Sequence, residues 1–336
     1  MVVRVAINGF GRIGRLTFRA LVESGRKDIK VVAINDLGSV EANAHLLKYD
    51  SVHGVLPADV IVSGSSMDVG NGPIQVFAER DPANLPWKKL KVDIVYECTG
   101  IFASKEKASV HLAAGAKKVL VSAPASGADL TVVYGVNDHK LKAKHQVVSN
   151  ASCTTNCLAP VANILNKLVG IEKGFMTTVH SFTGDQRTVD TLHSDLGRAR
   201  AASLNIIPAS TGAAKAVGLV LPELDGKLDG VAMRVPTPNV SVVDLCFTSK
   251  KKTTVAKINA ALKKASQSAR LKGILGYTEL PLVSTDFNHS SFSSYFAAPE
   301  TKVMGGDFIR ILTWYDNEWG FSNRMSDTAV AMMKAK

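Results

Sequence analysis

The stretch VVRVAINGFGRIGR, residues 2–15, decides the fold of this chain. It begins with a short β-branched run, Val2 to Ile7, which is typical of a strand. Gly9, Gly11 and Gly14 follow with the spacing GxGxxG. After a strand and before a helix, this spacing is typical of dinucleotide binding: the first glycine permits a tight turn, the second admits a pyrophosphate, and the helix start offers N–H groups. The stretch therefore predicts a phosphate-binding turn.

The helix after this turn is predicted to be amphipathic. Its apolar face is formed by Ile13, Leu16, Thr17, Ala20 and Leu21, whereas the residues expected to point away are Arg12, Arg15 and Arg19. A second strand, Lys30 to Ile34, completes a βαβ unit. Asp36 ends that strand, where a carboxylate can accept both adenosine ribose hydroxyls and would repel a 2′-phosphate. A solvated turn residue is the alternative for Asp36, but the glycine pattern favours a role in binding NAD.

Further β-branched runs alternate with helical or turn segments, which indicates a parallel sheet. These runs are Val92–Glu97, Val119–Ser122, Thr131–Val136 and Gln146–Ser149. Beyond residue 150 the strands become longer, and Leu228–Val235 and Val240–Phe247 are predicted to form a hairpin. The helices predicted in this half are Thr154–Leu168, Ala209–Val220, Val255–Ser268 and Glu318–Met333.

Together these patterns predict an α/β protein with a Rossmann-type doubly wound parallel sheet and a mixed or antiparallel α+β catalytic domain. We expect residues 1–150 to form the dinucleotide-binding domain and residues 151–317 the catalytic domain. The C-terminal helix, residues 318–336, is expected to pack back on the first domain.

Composition limits the possible functions. The chain has 336 residues, 46% of them hydrophobic, and a formal charge of +11, which favours anionic ligands. Its basic residues are scattered and do not alternate with aromatic residues, so we expect phosphorylated small molecules and no dedicated nucleic-acid partner. No apolar run approaches 18 residues, the start lacks a signal-peptide pattern, and the four cysteines lack CxxC spacing. These features predict a cytoplasmic protein without a membrane segment or a metal site.

The nine residues Ser149 to Cys157 end a strand and begin a helix, with Ser152 as a plausible N-cap and Cys153 in the first turn. A free thiol is only about 3% ionised at pH 7, so a mostly ionised Cys153 needs roughly 3 kcal/mol of stabilisation. A helix terminus supplies at most about 2 kcal/mol. A neighbouring imidazolium could supply the remainder, and His180 is the candidate. Taken alone, Cys153 and His180 would more often be structural residues.

Five segments in the same order resemble signatures of the phosphorylating glyceraldehyde-3-phosphate dehydrogenase family of the NAD-dependent type. They are Ile7–Arg15, Ser149–Cys157, Thr178–Thr183, Pro208–Ala216 and Trp314–Glu318. The resemblance implies that Cys153 attacks the aldehyde of glyceraldehyde 3-phosphate and that His180 takes the hydroxyl proton as hydride passes to NAD. A thioester remains, and inorganic phosphate releases it as 1,3-bisphosphoglycerate, a reversible step of glycolysis and gluconeogenesis.

The same resemblance assigns binding residues. Those implied for the cofactor are Gly9, Gly11, Arg12, Ile13, Gly14, Asp36, Arg80, Ser122 and Asn317. Those implied for the substrate phosphate are Thr183 and Arg234, and those for the second anion are Ser152, Thr154, Arg198, Thr211 and Gly212. The resemblance further implies a homotetramer, with residues 181–205 near neighbouring subunits. Some use of NADP stays open.

Three alternatives share part of this pattern. Erythrose-4-phosphate dehydrogenase has the same thiol but typically forms no acyl phosphate. A semialdehyde dehydrogenase would act on a substrate without a phosphate ester, which the Ser149–Cys157 motif disfavours. An RNA-binding or adhesion protein on a retired scaffold would use the net charge of +11.

Overall fold

The computed structural model describes residues 2–336, which form two compact units. The first unit consists of the chain up to Tyr134 together with Asp138–Ser152 and Ser322–Lys336. The second consists of Gly135–Asn137 and Cys153–Phe321. Within residues 2–336, no helix has the length and apolarity needed to cross a membrane.

The first unit contains eleven strands and four helices before residue 152. The strands are β1 (Val3–Asn8), β2 (Ile29–Asn35), β3 (Tyr49–Asp50), β4 (Gly54–Val55), β5 (Ile61–Ser63), β6 (Ser66–Asp68), β7 (Ile74–Phe77), β8 (Ile94–Glu97), β9 (Lys118–Val121), β10 (Leu130–Thr131) and β11 (Val147–Ser149). The helices are α1 (Arg12–Ser24), α2 (Val40–Lys48), α3 (Lys105–Ala108) and α4 (Val110–Ala113). Short 3₁₀ turns lie at Pro82–Asn84 and Asp138–Lys140.

Nine of these strands form one sheet in the order β10-β11-β9-β8-β1-β2-β7-β6-β5. The run from β10 to β7 is parallel, and only β6 and β5 are antiparallel. The chain first adds β2 on one side of β1 and later adds β8 on the other side. This reversal creates a crevice at the carboxyl ends of the strands, where α/β proteins bind ligands. The predicted doubly wound parallel sheet is confirmed.

Two local predictions in this unit are wrong. Of Thr131–Val136, only Thr131 belongs to a strand, because the chain leaves the sheet and turns at Gly135, whose φ is 86°. Arg19 does not point to solvent but is 1% exposed, and its Nη1 donates to the Gly54 carbonyl oxygen at 3.0 Å. The β3–β4 hairpin, which periodicity did not predict, covers this side chain.

The second unit contains the remaining elements. Its helices are α5 (Cys153–Val169), α6 (Ala213–Val220) and α7 (Val255–Ser266), and α8 (Trp319–Lys334) begins in it. Its strands are β12 (Ile171–Ser181), β13 (Ile207–Ser210), β14 (Leu228–Val235), β15 (Ser241–Ser249), β16 (Leu275–Thr278), β17 (Ser294–Ala297), β18 (Lys302–Met304) and β19 (Phe308–Tyr315). Short 3₁₀ turns lie at Pro222–Leu224, Ser284–Phe287 and Ala298–Glu300.

The sheet of this unit has the order β13-β14-β12-β15-β19-β17-β16, with β18 paired to β19. It is mixed, as the sequence predicted, but the predicted hairpin of β14 with β15 is wrong. Strand β12 lies between them, parallel to β14 and antiparallel to β15. The connection Pro236–Asn239 contains two prolines without N–H groups, and Val240 follows it with a φ of 68°.

The predicted start of α6 is also wrong. Residues 207–210 pair with β14 as an edge strand, which tolerates Pro208, and the helix begins only at Ala213.

Alternate residues of β12 point to opposite faces of the sheet. Met176, Thr178 and His180 are buried on one face, whereas Phe175 and Val179 are exposed on the other, Phe175 by 50%. This alternation turns His180 into the interior of the unit.

Candidate active site

Cys153 is the first residue of α5. The chain enters this helix through Ala151, a buried residue with a φ of 57°. The Cys153 Sγ lies 3.5 Å from His180 Nε2 and 4.0 Å from Thr154 Oγ1. The sulfur thus lies at a helix N-terminus, which favours a thiolate, and beside an imidazole nitrogen.

His180 stands at the end of β12, directly opposite Arg234 on the parallel strand β14. Its Nδ1 lies 2.7 Å from the Ser181 carbonyl oxygen and 2.8 Å from Arg234 Nη1. Arg234 Nη1 also donates to the Ser181 carbonyl oxygen at 3.0 Å. The imidazole is 3% exposed, so these contacts fix its orientation.

The pKa shifts of this pair act against the expected thiolate–imidazolium state. Burial, together with the neighbouring Arg234 cation, lowers the pKa of His180 to about 3. This direction acts against the predicted imidazolium, which stays a prediction for the resting site. Desolvation raises the pKa of Cys153 above its ordinary value, although Arg234 acts in the opposite direction. At 3.5 Å from the sulfur, His180 Nε2 is the group placed to take the Cys153 proton.

Tyr315 belongs to this site although the sequence argument gave it no role. Its hydroxyl lies 2.8 Å from Thr154 Oγ1 and 2.9 Å from Thr178 Oγ1. The ring packs edge-on against His180, with 5.9 Å between centroids. Tyr315 falls within the recognised segment Trp314–Glu318, which was the available signal. It connects the first turn of α5 to β12.

Arg234 is also suited to binding an anion. Its Nη1 lies 3.4 Å from Thr183 Oγ1, and its Nε is buried without a hydrogen-bond partner in the described chain. A buried orphan donor is costly unless a ligand satisfies it. The unpaired Arg234 Nε–H is therefore the observation that supports binding of a phosphate ester by Arg234 and Thr183.

Arg198 is paired with carboxylates of its own segment. Its guanidinium donates to Asp185, and its Nε lies 3.5 Å from Asp195. Asp185 also accepts from the Thr183 hydroxyl. Asp185, to which the sequence assigns no role, therefore accepts hydrogen bonds from two residues that were predicted to bind anions.

Thr211 and Gly212 precede α6, with Gly212 as its uncapped N-cap residue. Thr211 Oγ1 accepts from Ala213 N at 3.2 Å, and Thr155 Oγ1 donates to the Ala213 carbonyl oxygen at 3.3 Å. The second bond brings the starts of α5 and α6 together, so two helix N-termini are available to one anion. Ser152, in the first unit, keeps its role as a prediction.

Asn317 is held by two serines. Its Oδ1 accepts from Ser181 Oγ at 2.8 Å and from Ser241 Oγ at 2.9 Å. Because the oxygen is occupied, the amide N–H₂ is the group that remains to bind a carboxamide.

A separate cavity of about 480 Å³ lies in the first unit at the carboxyl ends of the strands. Its lining includes Asn8, Gly9, Gly11, Asn35, Asp36, Leu37, Glu79, Arg80, Thr99 and Ile101. Arg12, Ile13, Gly14 and Ser122 are not among the described residues that line it. The Arg12 guanidinium instead pairs with Asp50 at 2.5 Å.

The three glycines of the turn before α1 differ in the space around them. A Cβ at Gly9 would lie 2.7 Å from Thr99 N, and one at Gly14 would lie 2.1 Å from the Gly9 carbonyl oxygen. A Cβ at Gly11 would have no neighbour within 4 Å. The start of α1 therefore offers open space, no capping side chain and no acidic residue, which fits a pyrophosphate.

Asp36 completes the fit to a dinucleotide. Its Oδ2 accepts from Phe10 N at 2.8 Å and its Oδ1 from Gly38 N at 3.0 Å. Each oxygen keeps a lone pair for one ribose hydroxyl.

Two family models match the chain. The NAD binding domain of glyceraldehyde 3-phosphate dehydrogenase matches residues 3–105, and the C-terminal domain of the same enzyme matches residues 152–317. Among curated relatives, the glyceraldehyde-3-phosphate dehydrogenase of Xanthobacter flavus is 68% identical over 99% of both chains. The enzyme of the same name from Cereibacter sphaeroides is 66% identical over 99% of both chains. That of Geobacillus stearothermophilus is 58% identical over 98% of both.

Proposed function

We propose, from the premise that this chain belongs to the glyceraldehyde-3-phosphate dehydrogenase family, that Cys153 is its nucleophile and His180 its proton acceptor. The chain is an NAD-dependent dehydrogenase of glycolysis that oxidises and phosphorylates glyceraldehyde 3-phosphate. The single observation that carries the residue assignment is the 3.5 Å between Sγ and Nε2 at the start of α5.

The first step is addition of the thiol to the aldehyde. The Cys153 proton moves to His180 Nε2, and the sulfur forms a bond to the aldehyde carbon. His180 returns this proton to the carbonyl oxygen, which gives a thiohemiacetal with a neutral hydroxyl. His180 Nε2 lies 3.5 Å from the sulfur, so it is placed both to accept this proton and to return it.

The second step is oxidation. Bound NAD supplies the hydride acceptor. His180 Nε2 takes the hydroxyl proton as the hydride leaves the same carbon, so the thiohemiacetal becomes a thioester of Cys153. A phosphate oxygen then attacks the thioester carbonyl, the carbon–sulfur bond breaks, and the acyl phosphate leaves. The released thiolate lies beside the His180 proton, which restores the resting pair.

The anion sites divide between two groups of residues. We assign the substrate phosphate to Arg234 and Thr183, because the buried Arg234 Nε lacks a partner in residues 2–336. We assign the attacking phosphate to Ser152, Thr154, Arg198, Thr211 and Gly212. The adjacent starts of α5 and α6 support this second assignment.

For the cofactor, we assign the first unit as the dinucleotide-binding domain. The residues Gly9, Gly11, Arg12, Ile13, Gly14, Asp36, Arg80 and Ser122 would hold it there, and Asn317 would bind its carboxamide. Asp36 would repel a 2′-phosphate, so we expect kcat/KM for NAD to exceed that for NADP. Asp36→Asn should reduce this ratio by about tenfold or more, a loss of at least about 1.4 kcal/mol of discrimination. An unchanged ratio would remove Asp36 from cofactor selection.

We further propose a cytoplasmic homotetramer without a dedicated nucleic-acid partner. Four free thiols suit a reducing compartment. Exposed apolar residues on the open face of the second sheet support self-association; they include Phe175, Val179, Val231 and Phe308.

The decisive test is NADH formation from NAD and glyceraldehyde 3-phosphate, with and without inorganic phosphate. We expect turnover to depend on phosphate, and acid-quenched enzyme to carry an acyl group on Cys153 in the absence of phosphate. Cys153→Ser should lower turnover by about 10³-fold or more. Erythrose 4-phosphate is the control substrate; faster oxidation of it, without phosphate dependence, would reject the proposal.

A further inference from the structure

A chain of buried hydrogen bonds lies beneath the cofactor cavity, and none of the steps above uses it. Its members are Asn35, Asn8, Glu97, His111 and Trp87, each at most 5% exposed. We propose that Glu97 and His111 are positioning residues for NAD, which act through Thr99 and Asn8 on the loops that the dinucleotide contacts. This inference rests on the cofactor site proposed above.

Glu97 occupies the centre of this chain, and both of its oxygens accept hydrogen bonds. Oε1 accepts from Thr99 N at 2.8 Å and from the Thr99 hydroxyl. Oε2 accepts from Asn8 Nδ2 at 2.7 Å and contacts His111 Nε2 at 2.8 Å. Four donors therefore converge on one carboxylate, which no neutral side chain of the same size can satisfy.

Trp87 determines which nitrogen of His111 carries the proton. The Trp87 Nε1–H donates to His111 Nδ1 at 3.1 Å. Indole can only donate, so Nδ1 must be an acceptor and the neutral ring carries its proton on Nε2. That proton points at Glu97, so the bonds have a single consistent direction from Trp87 to Glu97.

The other end of the chain reaches the strand ends that form the cavity. Asn35 Nδ2 donates to Asn8 Oδ1 at 2.7 Å, and Asn35 Oδ1 accepts from Glu79 N at 2.8 Å. Asn8 is in register with Asn35 on β2 and with Glu97 on β8. The chain thus ties together the carboxyl ends of β1, β2 and β8 and the loop after β7.

These bonds set the position of the glycine turn. A Cβ at Gly9 would lie 2.7 Å from Thr99 N, the same N–H that donates to Glu97. Gly9 and Thr99 both line the cavity, whereas Glu97 and His111 do not. Their effect on NAD must therefore pass through Thr99 and Asn8. The glycine turn and the Thr99 loop are ordered before NAD binds. Binding therefore does not incur the entropy cost of ordering them, and the affinity for NAD is higher.

The primary test is Glu97→Gln in the full chain. Glutamine has the same size, but it turns an N–H₂ group toward two donors and leaves them unpaired. If only about a tenth of the molecules keep the glycine turn and the Thr99 loop in the arrangement that binds NAD, the Kd for NAD, measured by calorimetry, rises about tenfold. The rate of Cys153 alkylation, which reports the second unit, should stay at the wild-type value.

Asp327→Asn is the matched control. It is the same acid-to-amide change in the same unit, it weakens the 2.5 Å pair with Arg26, and Asp327 does not line the cavity. Its Kd for NAD should equal that of the wild type even if its melting temperature falls.

Rescue separates positioning from bulk packing. His111→Gln keeps a donor for Glu97 and an acceptor for Trp87, because the two polar atoms of glutamine match the spacing of the ring nitrogens. His111→Leu keeps volume only. We expect near-normal NAD affinity for His111→Gln and weak affinity for His111→Leu.

Each outcome decides the question. Wild-type NAD affinity in folded Glu97→Gln overturns the proposal, as does equal weakening by Asp327→Asn or equal affinity of the two His111 variants. If Glu97→Gln does not fold, Trp87→Phe decides, because it removes only the indole N–H donor and a similar ring remains; an unchanged Kd then overturns the proposal. If the wild-type chain binds no NAD, the proposed function fails instead.

Discussion

Arg234 Nη1 lies 2.8 Å from His180 Nδ1, because the parallel pairing of β14 with β12 sets the two residues directly opposite each other. The guanidinium is consequently fixed beside the thiol–imidazole pair. Its charge contributes to the low pKa of His180 and opposes the rise in the pKa of Cys153. Arg234 therefore affects both the protonation of the pair and the binding of substrate.

The reactivity of Cys153 should increase with pH well beyond neutrality. Only the thiolate is nucleophilic, and a raised pKa leaves a small ionised fraction at pH 7. We expect the rate of iodoacetamide alkylation, followed at Cys153 by mass spectrometry, to keep rising above pH 8. Cys98 and Cys157 are internal controls, because burial raises the pKa of each to about 12. A plateau below pH 7 would instead indicate a preformed thiolate–imidazolium pair.

Replacing Arg234 should weaken both the binding of substrate and the ionisation of the Cys153 thiol. Arg234→Leu removes the donors for the substrate phosphate, so kcat/KM should fall by about thirtyfold or more, since losing a partner of a buried charge costs about 2 kcal/mol or more. The alkylation profile of Cys153 should also move to higher pH. Arg200→Leu is the control, because Arg200 forms an exposed pair with Asp190. Unchanged alkylation in Arg234→Leu would contradict the electrostatic role.

Alanine substitutions at Gly9 and Gly11 should affect stability and NAD binding differently. Gly11→Ala meets no protein atom, so its melting temperature should match the wild type, but its methyl group should occupy pyrophosphate space and weaken NAD binding. Gly9→Ala should lower both the melting temperature and the NAD affinity, because residue 9 has a φ of 87° and a Cβ there would clash with Thr99. Differential scanning fluorimetry and calorimetry measure the two quantities. Tight NAD binding by Gly11→Ala would place the pyrophosphate elsewhere.

Charges on the open sheet face should disrupt self-association. Phe175→Glu combined with Val231→Glu adds two carboxylates on adjacent strands of this face. Light scattering after size-exclusion chromatography should show a smaller species than the wild type. Leu280→Glu, at a residue 63% exposed outside this face, is the control and should not change the mass. An unchanged mass for the double variant would exclude this face as an interface.

The sequence predicted the elements better than their partners. The parallel sheet of the first unit followed from the alternation of short apolar runs. The insertion of β12 between β14 and β15 did not, because strand periodicity reports which face is buried but not which strand lies alongside. The error concerned the site directly, since this pairing is what brings Arg234 to His180.

Within the site, the sequence predicts which side chains lie together but not their pKa shifts. The cysteine motif predicts Cys153 as the nucleophile and the ordered resemblance predicts His180 as its base, and the structure places the two side chains 3.5 Å apart. The lowering of the His180 pKa comes from burial and from the nearby Arg234 cation, which are properties of three-dimensional packing. Tyr315 and Asp185 were missed for the same reason: a hydroxyl or carboxylate shows its partners only after folding.

Asp185 gives the second unit an anion of its own, which already accepts from Thr183 and Arg198. A phosphate that binds the Thr183 hydroxyl or the Arg198 guanidinium displaces the Asp185 carboxylate, which belongs to the same chain, from that donor. The exchange swaps one negative ion for another, so few dissolved counterions are gained or lost. Added salt should therefore weaken phosphate uptake far less than the surplus of eleven positive charges suggests.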